Sequence, residues 1–239
     1  MHTYHYLSII LLNKNYPKTQ DNVFQLTNYP EFQVEKMKFI PAALLFDLDG
    51  VLVDSIDAWL AALNTALKIS GNKAITKKEF IENYWGFDLN TTISKIGLSK
   101  NIVAICNKSY ENHLDKVRLM PDVKQTLEKI ITYKKGIITN TPRDRTLQVM
   151  DKLNLRDYFS TIVTSDDVKI AKPSPDIILK ACENLNVKPN KVVAIGDTLS
   201  DVKAGKAAGC TVIGLNIQAD YEIEKISDLL TILDQLEMY

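Results

Sequence analysis

The sequence predicts an α/β protein with a Rossmann-like parallel sheet, helices on both of its faces, and a small inserted all-helical cap domain. Short apolar runs alternate with segments of helical length and periodicity, which is the pattern of βαβ units. The runs are apolar throughout, as in strands that are buried on both faces. From about residue 72 to 118 there are helical patterns and no convincing buried strand, so the cap is placed there.

Five buried strands are predicted, at residues 41–46, 134–139, 161–164, 192–195 and 210–215. Helices are predicted between and after them, at residues 54–70, 143–153, 174–185, 199–208 and 221–236. In the first helix the apolar residues fall on one face, and Asp54 or Ser55 is placed to cap its N-terminus. Pro175 suits the first turn of the third helix.

Composition divides the chain into three parts. Residues 1–37 are rich in Asn, Tyr, Gln and Pro, without a sustained helical period or a hairpin signal. We expect this N-terminal extension to be poorly ordered and dispensable, with Met37 as an alternative start. Residues 38–55 and 120–239 form the predicted Rossmann-like core, and residues 56–119 form the predicted helical cap.

The overall charge argues against several classes of protein. The 239 residues carry 29 basic and 29 acidic side chains. A protein that coats nucleic acid or an anionic membrane needs a basic excess, so we expect neither partner. No apolar run approaches the roughly 18 residues of a membrane-spanning helix, and no signal peptide is recognised. The three cysteines are widely spaced and form no CxxC pair, which indicates reduced thiols and a cytoplasmic location.

Polar side chains follow three of the predicted strands. Taken singly, each could be an ordinary turn former or helix cap. However, the carboxyl ends of parallel strands meet at one edge of a sheet, where such folds bind ligands. Crowded carboxylates raise one another's pKa unless a cation lies among them, and oxygen ligands from few protein groups suit Mg²⁺. The residues brought to this edge are Asp47, Asp49, Thr139, Asn140, Asp197 and Asp201.

Four stretches carry a recognisable pattern. In chain order they are LFDLDGVLVDS at 45–55, GIITNTP at 136–142, AKPSPD at 171–176 and IGDTLSD at 195–201. Together they resemble the four signature motifs of the haloacid dehalogenase-like phosphohydrolase superfamily, in its helical-cap branch. The resemblance covers about residues 38–220 and is strongest to phosphoglycolate phosphatases and related pyrophosphatases.

The resemblance implies catalytic roles. Asp47 would be the nucleophile that forms an aspartyl-phosphate, and Asp49 would protonate the leaving oxygen and then activate water. Thr139 and the backbone N–H of Asn140 would bind the phosphoryl oxygens. Lys172 would place a positive charge against both the phosphate and Asp47.

The resemblance also implies a Mg²⁺ cofactor. The metal would bind Asp47, the backbone carbonyl of Asp49 and Asp197, with Asp201 acting directly or through water. In the cap, the Tyr84–Phe87 stretch places a glycine among aromatic residues. This stretch could line the substrate pocket, although aromatic residues at a helix end are more often part of a core.

The function implied is a Mg²⁺-dependent phosphatase for a small phosphorylated metabolite: phosphoglycolate-like, pyrophosphate or a sugar phosphate. The protein would act as a monomer or homodimer. Asp49 favours phosphoryl chemistry, because dehalogenases of this superfamily lack an aspartate at that position. Two alternatives remain at this point, a sugar phosphomutase resembling β-phosphoglucomutase and a non-catalytic protein that binds a phosphorylated ligand.

Overall fold

The computed structural model describes residues 39–238, so the expectations for residues 1–37 lie outside the described part of the chain. The described strands are β1 (Ala43–Phe46), β2 (Val53–Asp54), β3 (Arg118–Leu119), β4 (Lys134–Thr139), β5 (Thr161–Thr164), β6 (Val192–Gly196), β7 (Thr211–Leu215) and β8 (Tyr221–Ile223). Six of them form one parallel sheet in the order β5-β4-β1-β6-β7-β8. The predicted parallel α/β architecture is confirmed.

Helices connect the strands and cover the sheet. In the described residues they are α1 (Ile56–Ile69), α2 (Lys77–Asn83), α3 (Leu89–Ile96), α4 (Asn101–Tyr110), α5 (Val123–Lys129), α6 (Arg143–Leu153), α7 (Asp176–Leu185), α8 (Leu199–Ala208) and α9 (Leu229–Met238). A 3₁₀ helix at Glu111–Lys116 follows α4. No helix in this part of the chain combines the length and apolarity needed to cross a membrane.

Strand β1 lies in the middle of the sheet and is fully buried. Leu44 and Phe46 belong to the core cluster on one face, whereas Ala43 and Leu45 belong to the cluster on the other. Successive side chains of a strand point to opposite faces, so a run that is apolar throughout can serve two cores. This explains why β1 shows no alternation of polar and apolar residues.

The register of β1 places the residue that follows it. Phe46 pairs with Ile137 of β4 and with Ile195 of β6, and the Asp47 N–H donates to the Ile195 carbonyl at 2.9 Å. The chain therefore leaves β1 between the ends of its two neighbours. Their following residues meet Asp47 at this edge of the sheet.

The prediction of one helix over residues 221–236 was wrong at its start. Tyr221–Ile223 is strand β8, which pairs in parallel with β7, and the helix begins only at Leu229. A three-residue strand is too short to show a period of its own, and its pairing with Ile213 of β7 is a tertiary contact. The sheet therefore gains a sixth strand.

The helices between β2 and β3 form a layer beside the site, and we call this segment, α1 to Lys116, the cap. The chain enters and leaves it through antiparallel strands that pair Val53 with Leu119. Inside, Trp59 of α1 stacks on Tyr110 of α4 with ring centroids 4.0 Å apart. The boundaries predicted for the cap, residues 56–119, remain a prediction.

Candidate active site

The site is built around the buried ammonium group of Lys172. Its Nζ lies 2.9 Å from Oδ1 of Asp47 and 2.6 Å from Oδ1 of Asp201, and it donates to the Ile138 carbonyl at 2.9 Å. The Lys172 side chain is almost fully buried. The structure thus brings together residues from the ends of β1, β4 and β6 and from the loop that precedes α7.

Asn140 holds the loop that carries Lys172. Its side-chain Oδ1 accepts from the Lys172 backbone N–H, and its Nδ2 donates to the Lys172 carbonyl, both at 2.9 Å. This paired arrangement fixes the backbone of Lys172 and so the origin of its long side chain. The side chain of Asn140 therefore has a structural use beside the phosphate-binding role predicted for its backbone N–H.

The charges at the centre shift the ionisation of both members of the Asp47–Lys172 pair. Burial alone would lower the pKa of the Lys172 ammonium, but the carboxylates of Asp201 and Asp47 outweigh it and raise that pKa. Burial raises the pKa of Asp47 well above its usual range, against the opposing effect of Lys172. The neighbouring carboxylates of Asp201, Asp197 and Asp49 raise it further. The site holds more negative charge than Lys172 alone neutralises.

Asp49 is oriented by three hydroxyl groups. Its Oδ2 accepts from Thr141 Oγ1 at 2.7 Å and from Thr139 Oγ1 at 3.3 Å, and its Oδ1 accepts a short bond from Ser55 Oγ. Ser55 stands at the N-cap of α1 but makes no side-chain capping bond there. The hydroxyl expected to cap the helix is instead directed to the candidate acid and base.

Asp197 reaches the site from the end of β6. Its Oδ2 accepts from the indole Nε1 of Trp85 at 3.1 Å, whereas its buried Oδ1 has no hydrogen-bond partner among the described residues. Burial and the nearby carboxylate of Asp201 raise the pKa of Asp197 to about 7. A buried carboxylate oxygen without a partner is expected where a cation belongs.

Three carboxylates have the spacing of a metal site. Asp47, Asp197 and Asp201 each place one oxygen so that the three atoms lie within 4.8 Å of one another. The side chain of Asp49 is not a member of this group, and its backbone carbonyl remains a predicted ligand. The donor set consists of oxygen atoms only and leaves Asp197 Oδ1 free, which fits the hard cation Mg²⁺.

Asp201 is also held by the start of α8. Its Oδ2 accepts from the Thr198 backbone N–H at 3.0 Å and from the Thr198 hydroxyl, completing a capping box. Its other oxygen binds Lys172. Both carboxylate oxygens of Asp201 therefore accept hydrogen bonds within the protein. Asp201 orients the Lys172 ammonium and also lies beside the candidate metal site.

Gly50 is required by the close approach of two segments. Its φ of +86° lies in the left-handed region, and an added Cβ would lie 2.0 Å from Oδ2 of Asp197. A side chain here would be strained and would displace that carboxylate. The turn after Asp49 and the carboxylate after β6 can therefore pack together only with glycine at this position.

The cap contacts the site through the loop after α2. Besides the bond from Trp85 to Asp197, the carbonyl of Gly86 accepts from Asn140 Nδ2 at 2.9 Å. All four residues of Tyr84–Phe87 line a cavity above Asp47 and Asp49, as the pocket interpretation predicts. Tyr84 and Trp85 also pack against the hydrophobic core, as the alternative interpretation predicts.

The sequence did not predict the contacts that three residues make with the predicted carboxylates, although Trp85 lies in the stretch expected to line a pocket. Thr141 and Ser55 both lie inside motifs, but a hydroxyl in a motif carries no signal for its partner. Trp85 contacts a residue that is 112 positions away in the sequence. No local pattern could have identified that contact.

Known proteins are similar to this chain in sequence and in fold. Residues 44–215 match the family described as haloacid dehalogenase-like hydrolase. The chain is 32% identical over 205 residues to a phosphoglycolate phosphatase of Aquifex aeolicus, covering 80% of this chain and 96% of that protein. It is 30% identical over 210 residues to pyrophosphatase PpaX of Bacillus mycoides, covering 81% and 97%.

A solved structure of β-phosphoglucomutase from Clostridium difficile matches with a TM-score of 0.75 at 21% sequence identity. The match covers 84% of this chain and 99% of that one. At that identity the likeness shows a common fold.

Proposed function

The chain belongs to the haloacid dehalogenase-like hydrolase family, and we propose that it is a Mg²⁺-dependent phosphatase that acts through an aspartyl-phosphate on Asp47. As a family member with phosphatase relatives, it is a hydrolase of phosphate esters. One observation carries the finer proposal: the carboxylate of Asp47 lies 2.9 Å from a buried lysine ammonium, in a site that also contains Asp49.

In the first proposed step, a carboxylate oxygen of Asp47 attacks phosphorus and the bond to the leaving oxygen breaks. Asp49 acts as the general acid and gives a proton to that oxygen, so that a neutral alcohol departs. Lys172 favours the ionised, nucleophilic form of Asp47 against the effect of burial. The hydroxyls of Thr141 and Ser55 keep the Asp49 carboxyl in one orientation.

In the second step, Asp49 takes a proton from water, which attacks the phosphorus of the aspartyl-phosphate. The acyl phosphate bond breaks, inorganic phosphate leaves, and Asp47 is restored as a carboxylate. Thr139 and the backbone N–H of Asn140 are proposed to bind the phosphoryl oxygens in both steps. Contacts from Trp85 and Gly86 bring the cap over the site, where it would limit the entry of other water.

Asp47, Asp197 and the Asp49 carbonyl are proposed to hold Mg²⁺, with Asp201 beside them. When bound, the ion would supply positive charge to the phosphoryl oxygens and to the crowded carboxylates. The unpartnered Oδ1 of Asp197 and its raised pKa support this assignment.

The proposed substrates are small phosphorylated metabolites, with phosphoglycolate, pyrophosphate and sugar phosphates as candidates. The names of the curated relatives favour hydrolysis over phosphomutase activity, because the likeness to β-phosphoglucomutase concerns the fold. We also propose a cytoplasmic location, which three buried cysteines without disulfide bonds support.

The test compares hydrolysis of a generic aryl phosphate by the wild type and by Asp47→Asn, with Mg²⁺ and with EDTA. We expect activity only in the wild type with Mg²⁺. Asp144→Asn, the same change at an exposed position of α6, is the control and should remain active. Equal rates for wild type and Asp47→Asn would refute the proposal and favour a non-catalytic protein. With a sugar phosphate as the substrate, an isomerised product without free phosphate would instead identify a mutase.

A further inference from the structure

The cap lines a cavity over the carboxylates of Asp47 and Asp49 that is partly open to solvent. Its volume is about 60 Å³. We call the lining side chains that lie between residues 59 and 106 the cap wall, because they face the position of the leaving group. Most of the cap wall is aromatic or aliphatic, formed by Trp59, Leu63, Phe80, Trp85, Phe87 and Leu89.

The cap wall, within the described residues, contains no Lys, Arg or His. The cationic side chain that does line the cavity is Lys172 of the core, and both Asp47 and Asp201 already bind its ammonium. Lys95 of the cap lies outside the lining, with its ammonium 4.6 Å from the ring centroid of Phe87. A second anionic group on the substrate would therefore meet no cation from the cap wall.

Few polar side chains of the cap wall remain to contact a leaving group. The indole N–H of Trp85 is occupied by Asp197, which leaves the hydroxyls of Tyr84 and Thr92 and the thiol of Cys106. Burial raises the pKa of Cys106 to about 12, so this thiol is neutral. The cap wall can offer apolar contact and one or two hydrogen bonds to an uncharged group.

A carboxylate or a second phosphate held against the cap wall would lose part of its water and gain no ionic partner from that wall. Burial of an unpaired charge is strongly unfavourable, whereas an apolar group gains by leaving water. The phosphoryl group itself is different, because Lys172 and the metal position neutralise it. Substrate selectivity thus depends on the charge of the leaving group.

We propose that the substrate is a compact phosphate monoester whose leaving alcohol is uncharged and presents apolar surface to the cap wall. The proposal rests on the phosphatase function proposed above and narrows it. Among the candidate substrates it disfavours phosphoglycolate and pyrophosphate, whose leaving groups are anionic. The cap wall would reject these by leaving their charge unpaired.

The test uses the full-length protein with Mg²⁺ and two substrates of similar shape. Isobutyl phosphate carries an isopropyl group where phosphoglycolate carries a carboxylate, and the carboxamide of phosphoglycolate removes the charge alone. We expect kcat/KM for isobutyl phosphate to exceed that for phosphoglycolate by about tenfold or more, with the carboxamide between them. Pyrophosphate should be as poor as phosphoglycolate.

A cation placed in the cap wall should reverse this preference. Tyr84 is half-buried, so Tyr84→Lys can place an ammonium beside the cavity, and we expect it to raise the ratio of phosphoglycolate to isobutyl phosphate turnover by about tenfold. Tyr158→Lys, the same change outside the cavity lining, should leave the ratio unchanged.

The substrate comparison with the wild-type protein tests this proposal even if a variant does not fold. Turnover of phosphoglycolate or pyrophosphate at least as fast as that of isobutyl phosphate would overturn this inference and leave the phosphatase proposal standing. Failure to hydrolyse any ester, a generic aryl phosphate included, would overturn the phosphatase proposal itself.

Discussion

The indole Nε1 of Trp85 donates a 3.1 Å hydrogen bond to Oδ2 of Asp197, so a cap side chain contacts a carboxylate of the candidate metal site directly. The next residue, Gly86, accepts a bond from Asn140, which in turn holds the Lys172 loop. The position of the cap is therefore linked to the charged groups that would carry out the chemistry. Changes in this loop should alter turnover more than stability.

Gly86→Ala should impair activity by displacing the cap loop. Gly86 has a φ of +84°, and an added Cβ would lie 2.9 Å from Cγ2 of Thr198. We expect kcat/KM to fall about tenfold to a hundredfold, because small displacements of catalytic surroundings have effects of this size. Steady-state kinetics on an aryl phosphate would measure it.

Gly71→Ala is the matched control. Gly71 also has a positive φ, +72°, but an added Cβ would meet nothing within 4 Å. In each variant alanine must adopt the left-handed backbone conformation of the glycine, which should lower the free energy of unfolding by about 1–2 kcal/mol. Only Gly86→Ala should also lose activity. Equal kcat/KM values in the two variants would contradict a role for loop contact.

Thr141→Val should slow turnover by freeing the Asp49 carboxylate. The change keeps the shape of the side chain and removes the 2.7 Å bond from Thr141 Oγ1 to Asp49 Oδ2. We expect kcat to fall about tenfold, as for the loss of one hydrogen bond to a charged group. Thr141→Ser, which keeps the hydroxyl, should restore most of kcat.

Thr126→Val changes a buried threonine of α5 outside the cavity lining and controls for packing effects. It should leave kcat unchanged. If Thr141→Ser is as slow as Thr141→Val, restoring the hydroxyl does not restore turnover, which would contradict a role of Thr141 Oγ1 in positioning Asp49.

Lys172→Gln should destabilise the folded protein. It leaves the carboxylates of Asp47 and Asp201 buried without their cation, which costs about 3–5 kcal/mol for a buried ion pair that loses one partner. Urea unfolding followed by tryptophan fluorescence, in EDTA, would measure the change. Lys206→Gln, which breaks the exposed pair with Asp220, should have no measurable effect. Equal unfolding midpoints for the two variants would refute the prediction.

Stability without Mg²⁺ should depend on pH through Asp197. Its folded-state pKa is raised to about 7, so the folded protein binds a proton that the unfolded chain releases near its usual pKa of 3.8. This contribution favours folding at low pH and is lost as the pH rises through about 7. Mg²⁺ should restore stability at pH 8 more than at pH 5.5, because the ion binds the ionised carboxylate.

Thermal unfolding of wild type and Asp197→Asn in EDTA would isolate this contribution. Asn cannot ionise, so the stability of Asp197→Asn relative to wild type should increase from pH 5.5 to pH 8. Added Mg²⁺ should reverse the order at pH 8. A constant difference between the two proteins across this pH range would show that Asp197 does not titrate there.

Several elements match their predicted bounds because local features define their ends. Strands β4 and β5 and helices α6 and α8 have the predicted limits, and in α8 the Thr198 cap and the Gly209 C-cap mark them. Strand β8 was missed, since three residues that pair only with β7 have no distinguishing local pattern. Asp54 or Ser55 was predicted to cap α1, and Ser55 does occupy the N-cap position, but its hydroxyl donates to Asp49 instead of making a capping bond.

By itself, the sequence determined the α/β fold and the set of carboxylates, because apolar runs and the polar residues that end them are local properties. Tertiary structure alone decided which partners those residues have: Lys172 between Asp47 and Asp201, and Trp85 on Asp197. It also decided that the cap wall is mostly apolar and has no cation among the described residues. These contacts join segments that are far apart in the chain, and they depend on strand order and cap position, which no local pattern encodes.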